Sequence, residues 1–135
     1  MAPSNSSRGL SIALWVAQVV LAVTLVGGAL WKLFTPIDTI ASMMAWAGTM
    51  PGLFRFTAVV DLLGGLGVIL PSLTRIKPQL TVLAAVGCAL LMIAAIGFHF
   101  SRGEAANTPF NFVLLGLAMF VAWGRRTRAA IAPRA

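Results

Sequence analysis

The sequence predicts an all-α membrane protein: a bundle of four transmembrane helices, with a short interfacial helix between the first and the second. Three observations lead there. The chain of 135 residues is 59% hydrophobic and only 10% charged, where soluble domains carry roughly 25% charged residues, so a soluble fold could not cover its core with polar surface. Long apolar runs alternate with short polar stretches, the pattern of spans and loops. The runs show no period-two alternation, and a membrane barrel needs at least about eight strands. The length allows one compact bundle, a single domain over 1–135, and no second domain.

The four helices are expected at about 10–31, 53–70, 78–98 and 109–124, followed by a basic tail over 125–135. A span needs about 20 residues to cross a hydrocarbon core of roughly 30 Å. The first and third runs meet that length, and the second and fourth are short. Pro71 is expected to end the second helix, and Pro78 to sit in the first turn of the third. Thr108-Pro109 reads as a cap followed by a first-turn proline. Trp31, Trp46 and Trp123 suit the membrane interface, where an indole meets both apolar and wet surroundings.

The first run is expected to be a retained helix and not a cleaved signal. It carries only Arg8 before it, exceeds the usual h-region length, and leads into WKLFTP with no A-x-A site. Between the first and second helices, PIDTIASMMAWAGTMPG repeats Ile37, Ile40, Met43/Met44 and Ala47 on one face. The segment is too short to span, which predicts one short helix lying against the bundle.

Charge sets the expected orientation. One side holds Arg8, Arg75, Lys77, Arg125, Arg126, Arg128 and Arg134 with no acid. The other holds only three basic residues, Lys32, Arg55 and Arg102, with Asp38 and Glu104. The positive-inside rule then places both termini in the cytoplasm of a cell in whose plasma (inner) membrane the chain sits. The net charge of +7 is a topology signal, and a nucleic-acid role for the tail is not expected.

Asp61 is the unusual residue: a carboxylate inside FRFTAVVDLLGGLGVILP, in a chain with three acids. Its face carries Thr57, Gly64, Gly65 and Val68. That stripe is small, so a neighbouring helix can approach and Asp61 is expected to face the bundle interior. A carboxylate there needs a cation, several donors or a proton. Candidate partners share the outer half. Lys32 ends the first helix on a stripe with Gly28, Leu25, Leu21 and Gln18. His99 ends the third on a stripe with Ala95, Met92 and Cys88. Arg55 begins the second helix, Glu104 follows in SRGEAAN, and Asn111 opens the fourth. The expected polar pocket is therefore Lys32, Arg55, Asp61, His99, Glu104 and Asn111. Arg55, six residues before Asp61, sits about 120° away around the helix and pairs with it only by reach.

Each of these also has a plain structural reading. Asp61 can be a buried salt bridge, Lys32 a snorkelling anchor, His99 a satisfied helix-end residue, and Arg102 and Glu104 a local pair. Cys88 reads as a packing residue. One histidine and one cysteine exclude a metal site of ordinary ligand spacing and a CxxC relay.

The order Trp31-Lys32-Leu33, Arg55, an acid, Gly64-Gly65-Leu66-Gly67 and Leu70-Pro71 resembles the DoxX-like membrane proteins. So does the continuation Leu91-Met92 to His99, Arg102-Gly103-Glu104, Asn111 and Gly124-Arg125. The resemblance covers about Trp15 to Arg125. It departs at Asp61, where the family usually has glutamate. The resemblance implies a small four-helix integral membrane protein; some relatives are subunits of a thiosulfate:quinone oxidoreductase, others act with redox enzymes, and distant ones assist receptor assembly.

Three functions follow as alternatives. The first is a membrane subunit that binds a quinone or other lipid-soluble ligand in the outer polar pocket and serves a redox-enzyme partner. His99 or Lys32 would donate to a quinone oxygen, and Asp61 would hold or pass a proton; no intrinsic electron cofactor is expected, so electrons would come from a partner or substrate. The second is a non-enzymatic assembly protein whose polar layer serves packing. The third is a small proton-coupled transporter, which would need a homo-oligomer to form a path.

Overall fold

The computed structural model describes residues 5–134, with side chains from Arg8 onward. The ends of the expected 1–135 domain, residues 1–4 and 135, lie outside the described residues. The described chain is helical, with no strand among the described residues. Six helices follow in order: α1 (Asn5–Phe34), α2 (Ile37–Met43), α3 (Ala45–Thr49), α4 (Pro51–Thr74), α5 (Gln79–Ser101) and α6 (Pro109–Thr127). A single 3-10 turn, Ala105–Asn107, precedes α6.

Three of these are long and apolar enough to cross a bilayer: Arg8–Phe34, Pro51–Thr74 and Leu80–Ser101. The all-α membrane class expected from the sequence therefore holds, with three of the four expected segments meeting that length and hydropathy. At 19 residues α6 is the shortest long helix, and it opens on Pro109-Phe110-Asn111 and closes on Arg125 and Arg126, which dilute its apolar run. It packs in the bundle nonetheless. The long helices form a closed ring in which α1 touches α4, α4 touches α5, α5 touches α6 and α6 touches α1.

The interior of the ring is apolar and small-grained. Leu21, Leu25, Val68, Cys88, Met92, Leu114, Ala118 and Val121 are all buried in one cluster. Glycines let the backbones close in. A β-carbon on Gly65 would stand 2.8 Å from Val26 Cγ2 and 3.2 Å from the Ala22 carbonyl oxygen, so α1 and α4 meet there at backbone distance. Outward, Val16, Val23, Leu63, Leu83, Leu90 and Ile93 are exposed. A continuous apolar exterior around a bundle suits lipid, not water.

Pro71 does not end its helix, as the sequence suggested; α4 runs on to Thr74. A proline withholds the N–H that its own turn requires, and membrane helices tolerate this where a neighbour supplies a donor. The carbonyl left without its intrahelical donor is that of Gly67, and on the adjacent residue Gln18 Nε2 of α1 donates to the Val68 carbonyl at 2.7 Å, tying this turn to α1. The helix stops instead at Arg75, which adopts a left-handed conformation (φ 56°).

The segment between α1 and α4 is two short helices and not one. Met44 is extended (φ −138°, ψ 96°) and breaks the run. The break folds α3 back on α2 so closely that a β-carbon on Gly48 would stand 2.8 Å from Ala41 Cβ. The predicted apolar face survives the break: Ile40 and Ala47 are buried, with Ile37 and Met44 packed beside them. Met43 is exposed. Trp46, expected at an interface, is buried against Phe54. Thr108 does not cap α6 with its side chain; its hydroxyl donates to the Ala105 carbonyl at 2.6 Å in the preceding turn.

Candidate functional site

The polar residues near the α1 C-terminus form two groups that share an aromatic wall. The first joins α1 to α4. Lys32 lies in the last turn of α1, and its Nζ stands 2.8 Å from Asp61 Oδ2 and 3.3 Å from Thr57 Oγ1. Asp61 is buried and faces the bundle, as its small-residue stripe predicts. Thr57 and Asp61 are one helical turn apart, so both meet the same ammonium. Lys32 also lies 5.4 Å over the Phe54 ring, a cation–π contact that holds the charge against the wall.

Arg55 does not reach Asp61. Its guanidinium turns to the end of α1, where it donates to the Lys32 carbonyl and, at 3.1 Å, to the Thr35 carbonyl. The last carbonyls of a helix lack intrahelical partners and carry the negative end of its dipole. Arg55 satisfies them and fixes the backbone from which Lys32 projects.

The second group is built by the end of α5. Gly103 takes a positive φ of 73°, a conformation that favours glycine. The Glu104 N–H then bonds the His99 carbonyl at 2.8 Å and the Gly103 N–H bonds the Phe100 carbonyl at 3.1 Å. This is a Schellman ending, which folds the residue after the glycine back over the helix's last turn. An apolar contact usually fills that place. Here the Glu104 carboxylate accepts from His99 Nδ1 at 3.1 Å and forms an ion pair with Arg102, whose Nε stands 3.3 Å away. With Nδ1 engaged, Nε2 is the imidazole position left for other chemistry.

Trp46 of α3 stands between the groups. Its ring meets Phe54 at 5.4 Å, Phe98 at 5.0 Å and His99 at 6.5 Å between centroids, all edge to face. Its indole Nε1 is buried and has no hydrogen-bond partner among the described residues. A buried donor left unpaired costs about 1–3 kcal/mol, so this corner holds polar capacity that the bundle itself does not use. Asn111, expected in the layer, is half-buried on α6 and joins neither ion pair.

Sequence reasoning missed a second polar layer, fourteen residues down α1 from Lys32, about 21 Å away. Gln18 is fully buried and accepts from Arg125 Nε at 2.7 Å through Oε1, while its Nε2 donates to Ser72 Oγ at 3.0 Å. Ser72 Oγ pairs in turn with Thr81 Oγ1 at 2.7 Å. The network ties α1, α4, α5 and α6 together. Its signal was present: Gln18 is an amide inside an apolar run, on the stripe of Lys32, and Arg125 was read as a topology charge and as part of the Gly124-Arg125 pattern, not as a buried partner. A cavity of about 440 Å³ lies at this end, lined by Ser72 and Arg125 among others, and a shallow apolar groove of about 410 Å³ runs beside Val23 and Ile69. Neither is lined by the Lys32–Asp61 or His99–Glu104 pair. Among the described residues no three His, Cys, Asp or Glu side chains gather as a metal site.

A search of curated proteins and a search of solved structures each return no match to this chain. A family model does match, over residues 16–121, nearly the whole helical core, and it is that of the DoxX-like family. With three helices long and apolar enough to cross a bilayer, this chain is a small membrane protein that belongs to the DoxX-like family.

Proposed function

We propose that the chain is a four-span subunit of the plasma (inner) membrane with both termini cytoplasmic, which binds a quinone-like, lipid-soluble ligand at the His99–Trp46 corner and supports a redox partner. The observation that carries the ligand reading is the buried, unpartnered Trp46 Nε1 beside an imidazole whose Nδ1 is already engaged. A quinone offers two carbonyl acceptors on a flat ring. An indole N–H and an imidazole set among Phe54 and Phe98 match that chemistry. Asp61 enters differently from the first expectation: its carboxylate already has the Lys32 ammonium, so the pair acts as a clamp that holds the aromatic wall, and the ligand meets the α5 side.

Four spans are supported by the end of the chain. The Arg134 N–H donates to the Arg75 carbonyl at 2.8 Å, which puts the segment after α6 beside the loop between α4 and α5. The basic residues at that end then supply the inside charge.

Thermal-shift titration with a short-chain quinone in neutral detergent tests the reading. The wild type is expected to be stabilised at or below near-millimolar quinone. Trp46→Phe, which keeps the aromatic wall and removes the N–H, and His99→Ala are each expected to weaken binding about 5- to 150-fold, the range for one buried hydrogen bond. No shift in the wild type overturns the quinone reading. The second reading, a non-enzymatic assembly protein, is favoured by the closed Lys32–Asp61 pair, which needs nothing from outside the chain. In that case the same variants would alter partner capture and leave no ligand effect.

A further inference from the structure

At the other end of the bundle, Arg125 is 4% exposed, yet no carboxylate pairs with it among the described residues. All three acids of the chain, Asp38, Asp61 and Glu104, stand toward the opposite end. Its hydrogen-bond partners are neutral. Nε donates to Gln18 Oε1 at 2.7 Å, and Nη1 donates to the Ala129 carbonyl at 2.9 Å and to Ser11 Oγ at 3.3 Å. The guanidinium lies 5.2 Å over the Trp15 ring. Nη2 is buried with no partner among the described residues. An always-charged group taken out of water without a counter-charge is costly, and dipoles meet only part of that cost.

Arg125 also lines the cavity of about 440 Å³, together with the exposed Arg126 and the buried Ser72 hydroxyl. Above them the cavity wall is Val82, Leu83 and Val86 of α5, and Leu83 and Val86 open onto the apolar exterior. Arg125, Arg126 and Ser72 at the foot, an apolar strip along α5, and Ala130, Ile131 and Pro133 of the segment after α6 form an amphiphilic slot.

We propose that this slot binds a phosphate-bearing anion, with the phosphate between Arg125 and Arg126 and, where the source is a phospholipid, the acyl chain along Val82, Leu83 and Val86. Arginine suits this role because its fork of donors matches phosphate oxygens. The site is separate from the His99–Trp46 corner and stands or falls without it.

The test is a set of thermal-shift titrations of purified protein in neutral detergent, with inorganic phosphate, dioctanoyl phosphatidylglycerol and dioctanoyl phosphatidylcholine. The wild type is expected to be stabilised by phosphatidylglycerol more than by phosphatidylcholine. A comparable response to inorganic phosphate identifies a free anion as the source, and its absence identifies the lipid headgroup. Arg126→Gln, at an exposed position, is expected to weaken binding about tenfold while the unliganded melting temperature holds. Leu83→Trp, which fills the slot from the lipid side, is expected to weaken the lipid and leave any binding of inorganic phosphate in place. No stabilisation of the wild type by either anion overturns the proposal. So does equal stabilisation of wild type and Arg126→Gln, which would mark a response unrelated to the slot.

Discussion

Lys32 Nζ and Asp61 Oδ2 stand 2.8 Å apart across the α1–α4 contact, with the two side chains 23% and 10% exposed. Both charges are therefore largely withdrawn from water, and each is the other's main compensation. Removing one partner of such a pair costs more than removing both, because the survivor is left alone. Asp61→Leu is expected to destabilise the protein by about 2 kcal/mol, between the values for exposed and fully buried pairs. Lys32→Met with Asp61→Leu is expected to recover much of that loss. Thermal unfolding of both single variants and the double variant forms the cycle; strictly additive losses would mean the pair contributes nothing as a pair.

The small stripe on α4 has an equally direct consequence. Gly65→Ala would press a methyl group against Val26 Cγ2, Leu25 Cβ and the Ala22 carbonyl oxygen, the last of these backbone that cannot swing away. A loss of about 1–3 kcal/mol is expected, the range for overpacking a filled core. Gly28→Ala on α1 is the matched control. Nothing lies within 4 Å of its added carbon, and alanine is the better helix former by about 0.5–1 kcal/mol. Equal melting temperatures for the two variants would contradict the close α1–α4 approach.

These glycines also show how far the sequence could be read. Spacing on a 3.6-residue period placed Gly65, Asp61 and Leu25 on inward faces, because an apolar run with one carboxylate leaves few faces on which that carboxylate can lie. The Lys32 partner followed from both residues being near the same helix ends. The turn at Pro71 was misread because a proline's effect on a helix depends on the packing around it, here against α1, whose Gln18 lies fifty positions from Val68 and is brought near only by the folded bundle. Arg125 was misread for a related reason. A basic residue after an apolar run has a sufficient explanation in topology, and burial of that residue by α1 cannot be seen along one helix. The break at Met44 had no proline or glycine to announce it, and the close approach of Gly48 to Ala41 that accompanies it is visible only in the fold.

Gly103 is where local backbone sets up the α5 corner. Its φ of 73° costs an ordinary L-residue about 1–2 kcal/mol. Gly103→Ala is expected to lower stability by that amount and to disturb the Schellman turn that brings Glu104 to His99. Asparagine visits this conformation more readily, so Gly103→Asn is expected to lose less. Under the quinone reading, ligand affinity falls in the same order, Gly103→Ala below Gly103→Asn. Melting curves and quinone titration of the two variants measure both effects; equal stability in glycine and alanine forms would show that the turn is not needed.

Three exposed positions report the course of α6 through the membrane. In a Cys88→Ala background, Lys77→Cys marks the loop between α4 and α5, Ala106→Cys the loop between α5 and α6, and Thr127→Cys the end of α6; all three side chains are exposed. Because α5 is long and apolar enough to cross, the first two are expected on opposite sides. A membrane-impermeant maleimide added to intact cells is expected to label Ala106→Cys and to label Lys77→Cys only after permeabilisation. If α6 also crosses, Thr127→Cys follows Lys77→Cys, as the hydrogen bond from the Arg134 N–H to the Arg75 carbonyl requires. Labelling of Thr127→Cys together with Ala106→Cys would leave three spans, with α6 returning to the side on which it began. Labelling of Lys77→Cys from outside would instead reverse the orientation, against the seven-to-three excess of basic residues at that end.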